Sequence, residues 1–168
     1  SALKQAHAAL PAGSKDAAAP ADAFIKAASA VLVQATDGSN LTLDPDIDSY
    51  YLMDGSLFRL PDLIDQAAAL RDLAATVAAS GAPTPAQAQT LGALAAMADY
   101  MDSNLAGGLD KTLVVRPEMK SVLAAGEVRA ALKIFRDQAG AAMLGSLKPA
   151  DAPVLKAAGD RAVAGLSA

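Results

Sequence analysis

Apolar residues recur along this chain in alternating steps of three and four. The clearest run is Leu60, Leu63, Ala67, Leu70, Ala74 and Val77, a spacing that lines one face of a helix with 3.6 residues per turn. Leu91, Leu94, Ala98, Met101 and Leu105 repeat it, as do Ala125, Val128, Leu132, Phe135, Ala139 and Ala142, while Ile25, Ala28, Leu32 and Ala35 open the series. No comparable run alternates with period two, although Leu113 to Val115 reads as a brief extended piece.

Prolines mark where these helices begin. Pro45 follows Asp44, Pro85 follows Thr84, and Pro117 opens a further stretch; proline at the first helical position gives up no intrahelical hydrogen bond, and Asp or Thr before it is a good N-cap. The first helix is expected over Ala21 to Thr36. Linkers rich in Gly, Ser, Asn, Asp or Pro are expected at Thr36 to Leu43, Ser80 to Thr84 and about Gly107 to Arg116, with the Gly107-Gly108 pair as a helix terminator. Pro61 lies inside the second helix and predicts a kink, while Pro11, Pro20, Pro149 and Pro153 interrupt the terminal helices. The fold class expected is all-α: one domain over residues 1–168, an up-down-up-down four-helix bundle with long, kinked helices and both termini at the same end.

Composition agrees with closely packed helices, since 53% of the 168 residues are hydrophobic, only 4% are aromatic and tryptophan is absent. A net charge of -4 supplies no basic face for a phosphate backbone, so nucleic acid is not an expected partner. Without cysteine there are no disulfides and no thiolate chemistry, and the single His7 cannot build a zinc site by itself. No apolar run approaches the roughly 18 residues a spanning helix needs, so any membrane spans are expected outside residues 1–168. Ser1 at the start, with neither Met nor a basic-then-apolar segment, is read as the opening of a fragment or processed product.

From Asp37 to Asp65 the chain reads DGSNLTLDPDIDSYYLMDGSLFRLPDLID. This segment resembles the sensor regions of bacterial methyl-accepting chemotaxis proteins and of related membrane histidine kinases and diguanylate cyclases, which carry a stretch of the form SNLxLDPxxDSYYLMD followed by an LP helix after the first membrane span. The resemblance implies a periplasmic domain of an inner-membrane receptor, homodimeric in the full-length protein and held by flanking spans. It implies a small-molecule ligand or a periplasmic binding protein as partner, a displaced helix as output, no cofactor and no catalysis. One departure is informative: Ala21 to Thr36 contains no arginine to hold an amino-acid carboxylate, as the aspartate- and serine-type receptors require.

Asp44, Asp46 and Asp48 alternate as a calcium loop opens, but Ser49 stands where that loop needs glycine and Gly55 where it needs a bidentate Glu, so helix capping is the better reading and no metal is expected. Ser39, Ser49 and Ser56 have no histidine near them to act as base. Lys111-Thr112 after two glycines echoes a phosphate loop, yet Leu105 and Asp110 occupy its glycine positions.

An antiparallel layout gathers Tyr50, Tyr51 and Tyr100 at one end of the bundle, the end far from a membrane. Around them it places Asn40, Asp48, Asp54, Asn104, Lys111, Arg116 and Lys120. The three tyrosines with Asn40, Asp48, Asp54, Asn104 and Arg116 are the candidate ligand-binding residues; the plainer reading has the tyrosines plug the bundle end, rings inside and hydroxyls in water. Arg59 and Arg71, among Asp62, Asp65 and Asp72, read as ordinary surface pairing. A second class of function, a structural or adaptor bundle binding partner helices through apolar faces, suits an alanine-rich helical surface.

Overall fold

The computed structural model describes residues 5, 18–39, 46–123 and 126–167, and among these it is all-helical apart from short connections, with no strand. In chain order the elements are α1 (Ala18–Gly38), α2 (Ile47–Asp54), a π-helical turn (Gly55–Arg59), α3 (Leu60–Ser80), α4 (Pro85–Val115), a short 3-10 turn (Pro117–Ser121), α5 (Gly126–Met143), a second 3-10 turn (Pro149–Asp151) and α6 (Ala152–Leu166). Since α2, the π turn and α3 follow one another in helical backbone without a break, they form one run over 47–80. The chain divides into two compact units, Ser1–Asp46 and Ile47–Ala168.

In the first unit α1 starts earlier than Ala21 and takes Pro20 into its first turn, where a missing N–H costs nothing. Thr36 is buried and its hydroxyl donates to the carbonyl of Leu32 at 2.8 Å. The expected seam is only partly covered: Ala28 and Leu32 are half-buried, whereas Ile25 is exposed together with Val31 and Val33. At 100° per residue, positions 25, 31 and 33 point to different sides of the helix, so α1 has no single apolar face. The proposed helix start at Pro45 lies outside the described residues.

The second unit holds the core. Leu63, Ala67, Leu70, Ala74 and Val77 are buried, and with them Leu91, Ala98, Leu132, Phe135, Ala139 and Ala142, so three of the four expected seams carry the packing. Leu155, Ala158, Ala162 and Leu166 of α6 complete the cluster. Helix α3 packs against α6, α4 and α5, and α5 packs against α6 and α4. Phe135 is the largest fully buried side chain. Beside it α6 approaches so closely that a Cβ on Gly159 would lie 2.5 Å from Cγ of Arg71.

The proline and glycine signals divide into those that held and those that did not. Thr84 caps α4 as expected: its hydroxyl accepts from the Gln87 N–H at 3.2 Å while its own N–H donates to Oε1 of Gln87 at 2.9 Å. Helix α3 ends on Gly81, whose φ of 81° is the left-handed conformation that closes helices. The linker expected at Gly107 to Arg116 is absent, because α4 runs through both glycines and through Leu113 to Val115, which are helical rather than extended. Gly108 serves packing instead, since a Cβ there would sit 3.2 Å from Cδ1 of Tyr51.

The helix stops at Arg116, where the following proline disfavours helical backbone. Pro117 then opens a 3-10 turn, and α5 begins only at Gly126. Pro149 likewise opens a 3-10 turn and Pro153 sits in the first turn of α6, so neither breaks a helix interior.

Candidate functional site

Pro61 has no N–H to offer the preceding turn, and its ring crowds the carbonyl four residues back. The chain absorbs this with the π turn just before it. There the N–H of Leu60 donates to the carbonyl of Gly55, five residues back. A salt bridge between Arg59 and Asp54 spans this turn and raises the guanidinium pKa above its ordinary value, the hydrogen bond being the main cause. In a regular α-helix positions 54 and 59 would stand about 140° apart. The wider turn is what brings them together.

Gly55 is buried in this turn, and a Cβ there would lie 3.1 Å from Cδ1 of Leu105. The close approach forms one wall of a cavity of about 360 Å³, to which Leu52, Gly55, Ser56 and Leu60 contribute. Leu105 and Leu109 of α4 face them. Val122, Leu123 and Val128, with Leu166 from α6, make the remaining apolar lining. The hydroxyl of Ser56 donates to the carbonyl of Leu52 at 2.6 Å, so its hydrogen is spent within the helix.

Two charged groups border this apolar space, and they neutralise each other. Asp102, almost fully buried, accepts from Nε of Arg129 at 2.9 Å and from Nη2 at 3.2 Å. A two-pronged arginine–carboxylate pair of this kind fixes both side chains. Its hydrogen bond raises the pKa of Arg129.

None of the described candidate ligand-binding residues lines this cavity, and their contacts fall into two groups. On one side Nε of Arg116 donates to Asp48 at 2.7 Å, and that bond holds the Asp48 carboxyl below its ordinary pKa. One turn on, Nζ of Lys111 donates to the hydroxyl of Tyr51 at 2.8 Å. On the other side Arg59, paired with Asp54, feels both Tyr50 and Tyr100.

Of the tyrosines, Tyr51 is half-buried with its ring against Gly108, whereas the other two are exposed and plug nothing. Tyr100 is 64% exposed and Tyr50 36%, and the rings of Tyr50 and Tyr51 meet edge to face at 5.2 Å. Asn104 is turned back onto its own helix, its amide donating to the carbonyl of Tyr100 at 2.9 Å. Lys120 is exposed on the 3-10 turn, and Asn40 lies outside the described residues. Arg71 bridges helices rather than pairing only locally: it meets Asp72 at 2.8 Å and Asp160 of α6 at 3.1 Å.

Sequence reading missed the cavity and its ion pair. One signal was available. Asp102 stands four residues after Ala98 and three before Leu105, on the buried face of the seam, where a carboxylate requires a partner. Among the described residues no group of three acidic or His side chains is placed to hold a metal ion, and no helix is long and apolar enough to cross a membrane. No family model, curated protein or solved structure matches the chain.

Proposed function

We propose that this chain is the periplasmic ligand-sensing domain of a bacterial transmembrane receptor of the chemoreceptor type, passing small-molecule binding on as a helix displacement. The observation that carries this reading is the cavity built against the π turn: a ligand there would touch the one place where the 47–80 run departs from α-helical register. Such turns gather at functional positions, and a packed helix with two available registers is a natural two-state element.

In this reading the second unit is an up-down-up-down four-helix bundle. The pairings favour it, because 48, 51 and 55 on one helical run meet 116, 111 and 105 on the next. The run bends at the π turn. The ligand site is moved from the tyrosine cluster to the neighbouring cavity, with the Asp48–Arg116 and Tyr51–Lys111 pairs closing the adjacent end. Helix α6 is the output arm; its last residue, Leu166, lines the cavity, so in this reading the cavity end of the second unit, not the opposite end, faces the membrane, and the full receptor is a homodimer held by its spans.

A thermal-shift screen tests this. A ligand at about 100 times its dissociation constant adds about 2.7 kcal/mol of stability. The full-length gene should also encode an apolar run of about 20 residues on each side of residues 1–168. Absence of both would leave the adaptor reading, which the exposed Val31 and Val33 of α1 and Val114 and Val115 of α4 favour.

A further inference from the structure

We infer that the cavity beside the π turn selects an uncharged, mostly apolar molecule of up to about twenty heavy atoms, bearing at most one hydrogen-bond acceptor for Arg129. The inference deepens the sensor reading and rests on it for physiological meaning, though binding can be measured without it.

Size follows from the volume, since about 360 Å³ filled near the density of a protein interior holds roughly that many atoms. The lining supplies the apolar requirement: six of the residues already named are leucines, and the Ser56 hydroxyl has given its hydrogen to the backbone. Charge selection comes from the ion pair. An anion entering this space would compete for the guanidinium of Arg129, and drawing it away would leave Asp102 buried without its partner. A cation would be set against Arg129 for the two oxygens of Asp102, which already accept two hydrogen bonds. A neutral ligand disturbs neither. The guanidinium carries five N–H donors, of which Asp102 takes two, so a hydroxyl or carbonyl oxygen can be held without breaking the pair. This also accounts for the chain's departure from the carboxylate-binding receptors in a positive way, because here the arginine at the site is already neutralised by its own protein.

The experiment is calorimetric titration of the whole 168-residue chain with three molecules of matched shape: cinnamyl alcohol, cinnamate and cinnamylamine. The alcohol should bind with one-to-one stoichiometry and about tenfold or more tighter than either charged relative. Asp102→Asn keeps the shape of the side chain but leaves Arg129 uncompensated, and should invert the order so that cinnamate binds best. Ser56→Phe should fill the cavity and abolish binding of the alcohol. If its far-UV circular dichroism reports misfolding, Val122→Trp narrows the mouth from an exposed position and should weaken binding by about tenfold.

Equal or tighter binding of cinnamate or cinnamylamine by the wild-type chain would overturn the selectivity while leaving the sensor reading in place. Failure of all three to bind, or an order unchanged by Asp102→Asn, would overturn the inference itself. The sensor reading would then be decided by the wider thermal screen.

Discussion

At the residue scale, a few polar pairings of this protein, Asp48 with Arg116 and Asp102 with Arg129 among them, join one helix to another, and the acidic groups carry a pH signature. Arg116 stabilises the ionised form of Asp48, whose folded-state pKa therefore lies below its unfolded value near 3.8. A group of this kind contributes stability that is fully present above the unfolded pKa and is lost as pH falls through the lower, folded one. Asp160, held down chiefly by its hydrogen bond to Lys156, adds to the same acid limb. Urea denaturation across the acid range should thus find Asp48→Asn less stable than wild type at neutral pH, with the difference shrinking below about pH 4. A difference that persists unchanged to the acid end would mean that Asp48 acts through packing or capping rather than through its charge.

At the scale of elements, the helices were legible wherever a three-four seam met a packed neighbour, as in 63–77 and 132–142. Legibility failed where a residue answers to a distant partner. Gly108 looks like a terminator because glycine is a poor helix former, but the ring of Tyr51 demands it, and that ring is far away in sequence. Two substitutions separate these roles. Gly107→Ala, with open space around its Cβ, should stabilise by about 0.5–1 kcal/mol. Gly159→Ala drives a methyl group into Arg71 and Phe135, and should destabilise by about 1–3 kcal/mol despite the better helix propensity. Chemical denaturation measures both, and a stabilising Gly159→Ala would mean that α6 can move off α3.

The candidate site was half legible for the same reason. The antiparallel layout gathered Asp48, Tyr51, Lys111 and Arg116 at one end without pairing them, and nothing local announces a π turn. Only Pro61 hints at one, by removing a donor without saying how the turn before it responds. The Asp54–Arg59 pair is the reporter of that response. A double-mutant cycle with Asp54→Ala and Arg59→Ala should give a coupling of about 0.5–1 kcal/mol, modest because Arg59 is partly exposed. Repeated in a Pro61→Ala background, where the missing donor is restored and an α-helical register becomes available, the coupling should fall toward zero. Unchanged coupling would mean that something other than the proline imposes the wider turn.

At the scale of the whole molecule, the buried apolar cluster among the described residues is drawn from residues 63–166. Every member belongs to the unit that begins at Ile47, and the cluster joins α3, α4, α5 and α6 into one body of the size that small domains need to fold. Stability should therefore reside in that unit, and α1 should be an addition to it rather than a condition for it. A chain beginning at Ile47 is expected to keep its helical circular dichroism and to unfold in one cooperative step, with a midpoint within a few degrees of the full chain. Separate loss of near-ultraviolet tyrosine signal and far-ultraviolet helix signal in that shortened chain would mean that its core is incomplete, and that α1 supplies packing the second unit needs. Cooperative unfolding would place α1 among the parts that can move while the core stays intact.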